Sequence, residues 1–185
     1  MNDIKTYNTL FLDRDGVINK QRKGDYVKSW SEFIFIDGAL EALALLSSLF
    51  KYIIVITNQR GVGKGVMSEE ALEDIHSQMT ETIRANKGRI DSIYYCTATD
   101  ETDINRKPNT GMALLARQDF PKVDFGRSFF AGDSLSDIQF ANNAGIPAIL
   151  IGEKYDEGTI SRLEIRAHYP DLLTFAQELK KKDSI

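Results

Sequence analysis

The 185-residue chain contains one cysteine, Cys96, so an internal disulfide framework is excluded. It contains two histidines, His76 and His168, which read as a helix-surface and a loop residue and not as metal ligands. No apolar run approaches the roughly 20 residues of a membrane span. The opening MNDIKTYNTL lacks the charged-then-apolar pattern of a secretory signal. The expected location is therefore the cytoplasm, with no membrane partner. Positive charge is not in excess: 23 Lys and Arg face 27 Asp and Glu, a net −4. That balance argues against nucleic acid as a partner, and an anionic ligand would have to be met by local positive charge. Repeats, low-complexity tracts and linkers are also lacking. Residues 1–185 read as one domain, expected to be a monomer. Lys180-Lys181-Lys182 reads as a solvated partner of a helix end.

What is present is an alternation of strand-like and helix-like segments. Strands are predicted at 9–13, 52–57, 90–96, 128–132 and 147–151. YIIVIT is apolar throughout, as in a parallel sheet covered on both faces. Helices are predicted at 38–50, from an N-cap at Ser68 to about 86, from Thr110 to 118, at 135–143 with a stop at Gly145, and at 172–181 after Asp171. The pattern implies an α/β fold: a doubly wound, Rossmann-like parallel sheet of five or more strands with helices on both faces. Segments 19–37 and 97–109 fall outside the alternation and follow strand ends. Neither is long enough to form a separate cap domain.

The chemistry-bearing residues fall at those strand ends. Phe11-Leu12 leads into Asp13 and Asp15, one residue apart, and then Gly16. Asp-Gly alone also marks a turn, and the glycine follows too soon for an EF-hand loop. At the carboxyl end of a strand, though, paired acids can hold a divalent cation, and one of them can serve as a nucleophile. Thr57-Asn58-Gln59 offers three hydrogen-bonding side chains suited to phosphate oxygens. The run Arg60 to Gly65 fails as a nucleotide P-loop. Asn58 stands where the first glycine belongs, and Gly65 where Ser or Thr belongs. It reads as a flexible basic flap. Arg106-Lys107-Pro108 joins a guanidinium to a point charge, a pairing that can clamp phosphate. In Gly132-Asp133-Ser134-Leu135-Ser136-Asp137, Asp133 would complete a Mg²⁺ site and Asp137 would point back toward it. Asp133 or Ser134 could equally be a helix cap. Each element has an ordinary structural reading, but their succession along four strand ends points to an enzyme acting on a phosphate ester.

DRDG, TNQ, RKP and GDSLSD together resemble the four motifs of the haloacid dehalogenase superfamily of phosphohydrolases. DRDGVIN, FIFIDGALEAL, TNQRGVGKG and IYYC are similar to the branch of heptose bisphosphate and histidinol phosphatases. Polynucleotide 3′-phosphatases carry a related TNQRGVGKG. The resemblance implies that Asp13 attacks phosphorus and that Asp15 acts as acid and then base. It implies Mg²⁺ held by Asp13, Asp133 and the Asp15 carbonyl. It gives Thr57, Asn58, Gln59 and Arg60 to phosphate or substrate, Lys107 to the developing charge and Arg106 to substrate. Asp137 would orient Lys107 or a water. The implied substrate is a small sugar phosphate, D-glycero-D-manno-heptose 1,7-bisphosphate first, with histidinol phosphate and a polynucleotide 3′-phosphate as alternatives. A non-catalytic domain binding a phosphorylated ligand is the competing class. The branch often carries a structural zinc on three cysteines and a histidine before RKP. Here Cys96 stands at the first such position, but 97–105 contains neither Cys nor His, so no zinc is expected.

Overall fold

The computed structural model describes residues 7–183. Six strands form one sheet: β1 (Tyr7–Leu12), β2 (Phe50–Asn58), β3 (Ser92–Cys96), β4 (Phe129–Gly132), β5 (Ala148–Ile151) and β6 (Ala167–Tyr169). Their order is β3-β2-β1-β4-β5-β6, and every pairing is parallel. The chain moves outward from β1 to β3 and then returns to the other side of β1. The order therefore reverses between β1 and β4, the crevice where ligands of such sheets bind.

Side-chain alternation along each strand supplies two apolar layers. Leu10, Leu12, Ile53, Val55, Ala131, Ile149 and Ile151 enter one core. Phe11, Ile54, Ile56, Phe130, Ala148 and Leu150 enter the other. The first layer is closed by α1 (Ala39–Leu49), α3 (Glu69–Ala85) and α7 (Leu172–Asp183). The second is closed by α4 (Gly111–Asp119) and α5 (Leu135–Ala144). Two one-turn helices complete the set, α2 (Arg60–Gly63) and α6 (Glu157–Ile160). Local signals work as their chemistry dictates. Ser68 accepts from the Ala71 amide at 3.1 Å, Asp171 accepts from Thr174 at 2.7 Å, and Gly145 ends α5 at φ 70°. Thr110 sits at the N-cap of α4 without a side-chain capping bond.

Three expectations are corrected. The supposed flap 60–65 begins with the helical turn α2, with Gly61 buried. His76 is not on a helix surface: it is 6% exposed, on the inner face of α3. His168 is not in a loop but on β6, a three-residue strand too short to show a pattern, where Nε2–H donates to the Gly152 carbonyl at 2.6 Å. Among the described residues no inserted segment forms a second domain, and no helix is long and apolar enough to cross a membrane. Segment 19–37 folds back over the strand ends. It is pinned by an Asn19–Phe35 bridge and by Trp30, Phe33 and Phe35, whose ring centroids lie 5.0 to 6.2 Å apart.

Candidate active site

A cleft of about 270 Å³ opens at the β1/β4 crevice. Asp13, Asp15, Thr57, Asn58, Gln59, Lys107, Asp133 and Asp137 all line it, and Gln21, Arg22, Asp25 and Tyr26 of the folded-back segment form its rim. Arg60 and Arg106 do not line it. Each guanidinium donates to a carbonyl of the 97–109 loop at 3.3 Å, Arg60 to Thr99 and Arg106 to Ala98.

Asp13 follows β1 and Asp133 follows β4, so strand pairing alone brings them together across 120 residues of chain. Two glycines permit the approach. Gly16 turns at φ 93°, and a Cβ there would run into the Asp133 carboxylate. A Cβ on Gly132 would run into Asp137. Asp13, Asp133 and Asp137 each present an oxygen within 4.8 Å of the others. Lys107 lies among them, 4% exposed. Its Nζ donates to Asp13 Oδ1 at 2.8 Å and to the Ile56 carbonyl at 2.9 Å, and lies 2.7 Å from Asp137 Oδ1. Its backbone is clamped by Asn58, whose Nδ2 donates to the Lys107 carbonyl while Oδ1 accepts the Lys107 amide, at 3.1 and 3.0 Å. The following Lys107–Pro108 bond is cis.

Asp137 is committed to structure. Its Oδ2 accepts from the Asp133 and Ser134 amides and from the Ser134 hydroxyl, closing a capping box on α5. Asp13 Oδ2 and Asp133 Oδ1, by contrast, carry no hydrogen bond among the described residues. Asp133 Oδ2 meets Lys154 at 3.2 Å. Burial pushes the Asp13 carboxyl up to about 7, aided by Asp137 and Asp133 and opposed by Lys107. Burial and Asp137 raise Asp133 as well. Burial alone would lower Lys107, but Asp13 and Asp137 hold it above its usual range. Crowded acids whose ionisation is costly, with two free hard oxygens, fit a divalent cation such as Mg²⁺.

Asp15 sits in a different environment. Arg14 Nη2 donates to both of its oxygens, at 3.0 and 2.9 Å; Asn19 and Gln59 each donate at 2.9 Å. Burial would raise this carboxyl, but the charge of Arg14 and the hydrogen bonds from Asn19, Arg14 and Gln59 outweigh it and hold it below the ordinary value. Gln59 also donates to Thr57 Oγ1 at 2.9 Å, leaving the Thr57 hydroxyl proton for an acceptor in the cleft.

A family model described as polynucleotide kinase 3 phosphatase matches residues 8–150. The chain is 39% identical over 150 residues to the D-glycero-alpha-D-manno-heptose-1,7-bisphosphate 7-phosphatase of Burkholderia mallei, covering 77% of this chain and 78% of that one. It is 32% identical over 183 residues to the D-glycero-beta-D-manno-heptose-1,7-bisphosphate 7-phosphatase of Neisseria meningitidis, covering 95% and 96%. The chain belongs to the haloacid dehalogenase phosphatases. Its relatives there include heptose bisphosphate phosphatases. The solved structure of the D,D-heptose 1,7-bisphosphate phosphatase of B. bronchiseptica, complexed with magnesium and phosphate, superposes at a TM-score of 0.84 with 30% identity, covering 95% of this phosphatase and 99% of that chain.

Three residues tied to this site were not read from the sequence as part of it. Arg14 lies between the two acids, yet its charge gives no hint that it turns inward to 1% exposure. Lys154 follows β5, one strand beyond the last motif. His76 had a readable signal. It falls on the stripe of Leu72, Ile75, Met79 and Ile83, the buried face of α3. The zinc position does not fit a metal. Cys96 faces Asp103 Oδ1 at 3.7 Å, which also accepts the Asn105 amide at 2.8 Å, so hydrogen bonds close the loop.

The buried His76 has a consequence for acid stability. Burial and Arg14 push its pKa from 6.5 down to about 3. Between these values the unfolded chain binds the extra proton. The contribution is thus full above about 6.5 and is lost as pH falls toward 3, with a slope of up to about 1.4 kcal/mol per pH unit. Asp13 and Asp133, both raised, give the opposite slope, so the difference between the parent and His76→Gln isolates the histidine. Urea midpoints from pH 7 to pH 4 are expected to fall less in the variant.

Proposed function

We propose that this phosphatase hydrolyses a small sugar bisphosphate by way of a phosphoryl group carried on Asp13, with D-glycero-D-manno-heptose 1,7-bisphosphate as the first candidate. The observation that carries the reading is Asp13 itself: a buried carboxylate with one oxygen unbonded and the other held by Lys107. The Asp13 carboxylate attacks phosphorus with one oxygen and would face the cation with the other. Lys107 holds that carboxylate in place and stabilises charge gathering on the phosphoryl group. Thr57 donates to a phosphoryl oxygen, and Asn58 keeps Lys107 in place. Asp15, ionised in the free enzyme, takes up a proton as the phosphate ester binds, gives it to the departing alkoxide and later takes one from the water that splits the acyl phosphate. Asp13 and Asp133 would hold Mg²⁺, with the Asp15 carbonyl as a further ligand. When bound, the ion neutralises the acids and lets an anionic ester approach an anionic nucleophile.

The relatives' names and a cleft matched to a small ligand support the sugar substrate. The polar rim of Gln21, Arg22, Asp25 and Tyr26 offers donors and acceptors suited to hydroxyl groups. The name of the matching family model favours a second reading, a polynucleotide 3′-phosphate. The net charge of −4 and the absence of a basic stripe weigh against it. We also infer a cytoplasmic, monomeric, single-domain enzyme that contains no zinc.

The test is a phosphate-release screen with Mg²⁺ over heptose and hexose bisphosphates, histidinol phosphate and 3′-phosphorylated oligonucleotides, with metal analysis of the purified protein. A heptose bisphosphate is expected to give the highest kcat/KM. Preference for the oligonucleotide, with activity falling steeply as salt rises, would favour the second reading. Stoichiometric zinc would contradict the reading of the 97–109 loop.

A further inference from the structure

Asp15 is fixed by a relay that begins outside the cleft. Arg14 Nη2 straddles both Asp15 oxygens, and Arg14 Nη1 lies 3.1 Å from His76 Nε2. A guanidinium can only donate, so Nε2 is the acceptor and the ring proton sits on Nδ1. The ring is neutral, in keeping with the depressed pKa of His76. Both side chains are buried, Arg14 at 1% and His76 at 6% exposure, so water does not replace the contact. The imidazole is held in turn by its place on α3 and by the Tyr95 ring, 5.6 Å away between centroids. Of the donors on Asp15, Gln59 is shared with Thr57, whereas Arg14 reaches both oxygens and so fixes the carboxylate plane.

We infer that His76, acting through Arg14, is a positioning residue for Asp15, setting the angle at which that carboxyl meets the leaving oxygen of the substrate. The inference rests on the role proposed above for Asp15. In that step the bond from phosphorus to the leaving oxygen breaks, its electron pair stays on oxygen, and the oxygen takes the proton from Asp15. An alkoxide leaving group needs that proton, whereas a nitrophenolate does not.

The experiment compares kcat/KM for an alkyl phosphate, the sugar phosphate of highest activity, with that for p-nitrophenyl phosphate. This ratio reports steps only through departure of the leaving group, so the later attack of water does not enter. Asp15→Asn is the control and should lose the alkyl substrate selectively; if it does not, the role of Asp15 itself is wrong. With the control in place, His76→Leu is expected to lose about tenfold or more on the alkyl phosphate, a fraction of the 10²–10⁴ that a placed acid supplies, and about twofold or less on the aryl phosphate. His76→Gln, which can offer an acceptor near the Nε2 position, is expected to recover most of the loss. Equal losses on both substrates, or none, would overturn the inference, since a purely structural role does not distinguish leaving groups. If His76→Leu does not fold, Arg14→Lys carries the same comparison, because one ammonium cannot span both Asp15 oxygens and His76.

Discussion

Asp13→Asn is expected to abolish turnover, lowering kcat by roughly four orders of magnitude or more, the scale on which loss of a nucleophile is felt. The substitution is nearly isosteric, so the cleft keeps its shape. What disappears is the oxygen that would form the bond to phosphorus. The same variant is expected to unfold at an equal or higher temperature in EDTA. Burial and two neighbouring acids hold the Asp13 carboxyl near 7, so its charge is costly in the folded state without a cation. A neutral amide removes that cost, against which the weakened Lys107 contact counts. The stabilisation conferred by Mg²⁺ should shrink, because one of two free hard oxygens has lost its charge. Thermal melts with and without Mg²⁺, beside a phosphate-release assay, check all three. Turnover equal to the parent would rule out a phosphoryl-Asp13 intermediate.

Lys107→Met is expected to have the largest effect on stability. The ammonium sits between Asp13 and Asp137 at 2.8 and 2.7 Å, with almost no access to water. Methionine fills the volume but leaves two buried carboxylates facing each other with Asp133 beside them. Breaking a buried ion pair in this way costs about 3–5 kcal/mol. In a chain of this size that is a fall of roughly 10 °C in melting temperature. Mg²⁺ should recover part of it, since it neutralises the same acids, so the deficit should be larger in EDTA than in Mg²⁺. Activity should fall by about 10²–10³ even with the metal bound, because the fixed donor beside the nucleophile is gone. A variant as stable as the parent in EDTA would show that Lys107 does not offset repulsion among the three acids in the metal-free protein.

Much of this site was legible in the sequence. Acids at the ends of β1 and β4, TNQ at the end of β2 and RKP after β3 were placed correctly because a parallel sheet delivers its strand ends to one edge. How each side chain is used was not legible. Asn58 and Gln59, read as phosphate contacts, spend hydrogen bonds on Lys107, Asp15 and Thr57. Arg60 and Arg106 turn toward the 97–109 loop. Such choices are settled by which buried carbonyl or carboxylate lies within reach, and local sequence does not carry that information. Arg14 and His76 show the other limit. Polarity argues for the surface, and burial of both is tolerable because Arg14 is paired with Asp15 and bonded to His76. β6 was missed because three residues cannot display a period.

The contact between Gly16 and Asp133 has a bearing on how the enzyme is born. Asp13 is synthesised early, at the end of a strand whose one flank stays open until β4 arrives more than a hundred residues later. A nascent chain that has finished β1, β2 and β3 therefore owns Asp13 and the threonine of TNQ but lacks the Asp133 oxygen of its cation site. Closing the open flank and completing the metal site are the same event. Catalytic competence would thus report that the sheet has been assembled, and a chain that ends before β4 is expected to release no phosphate.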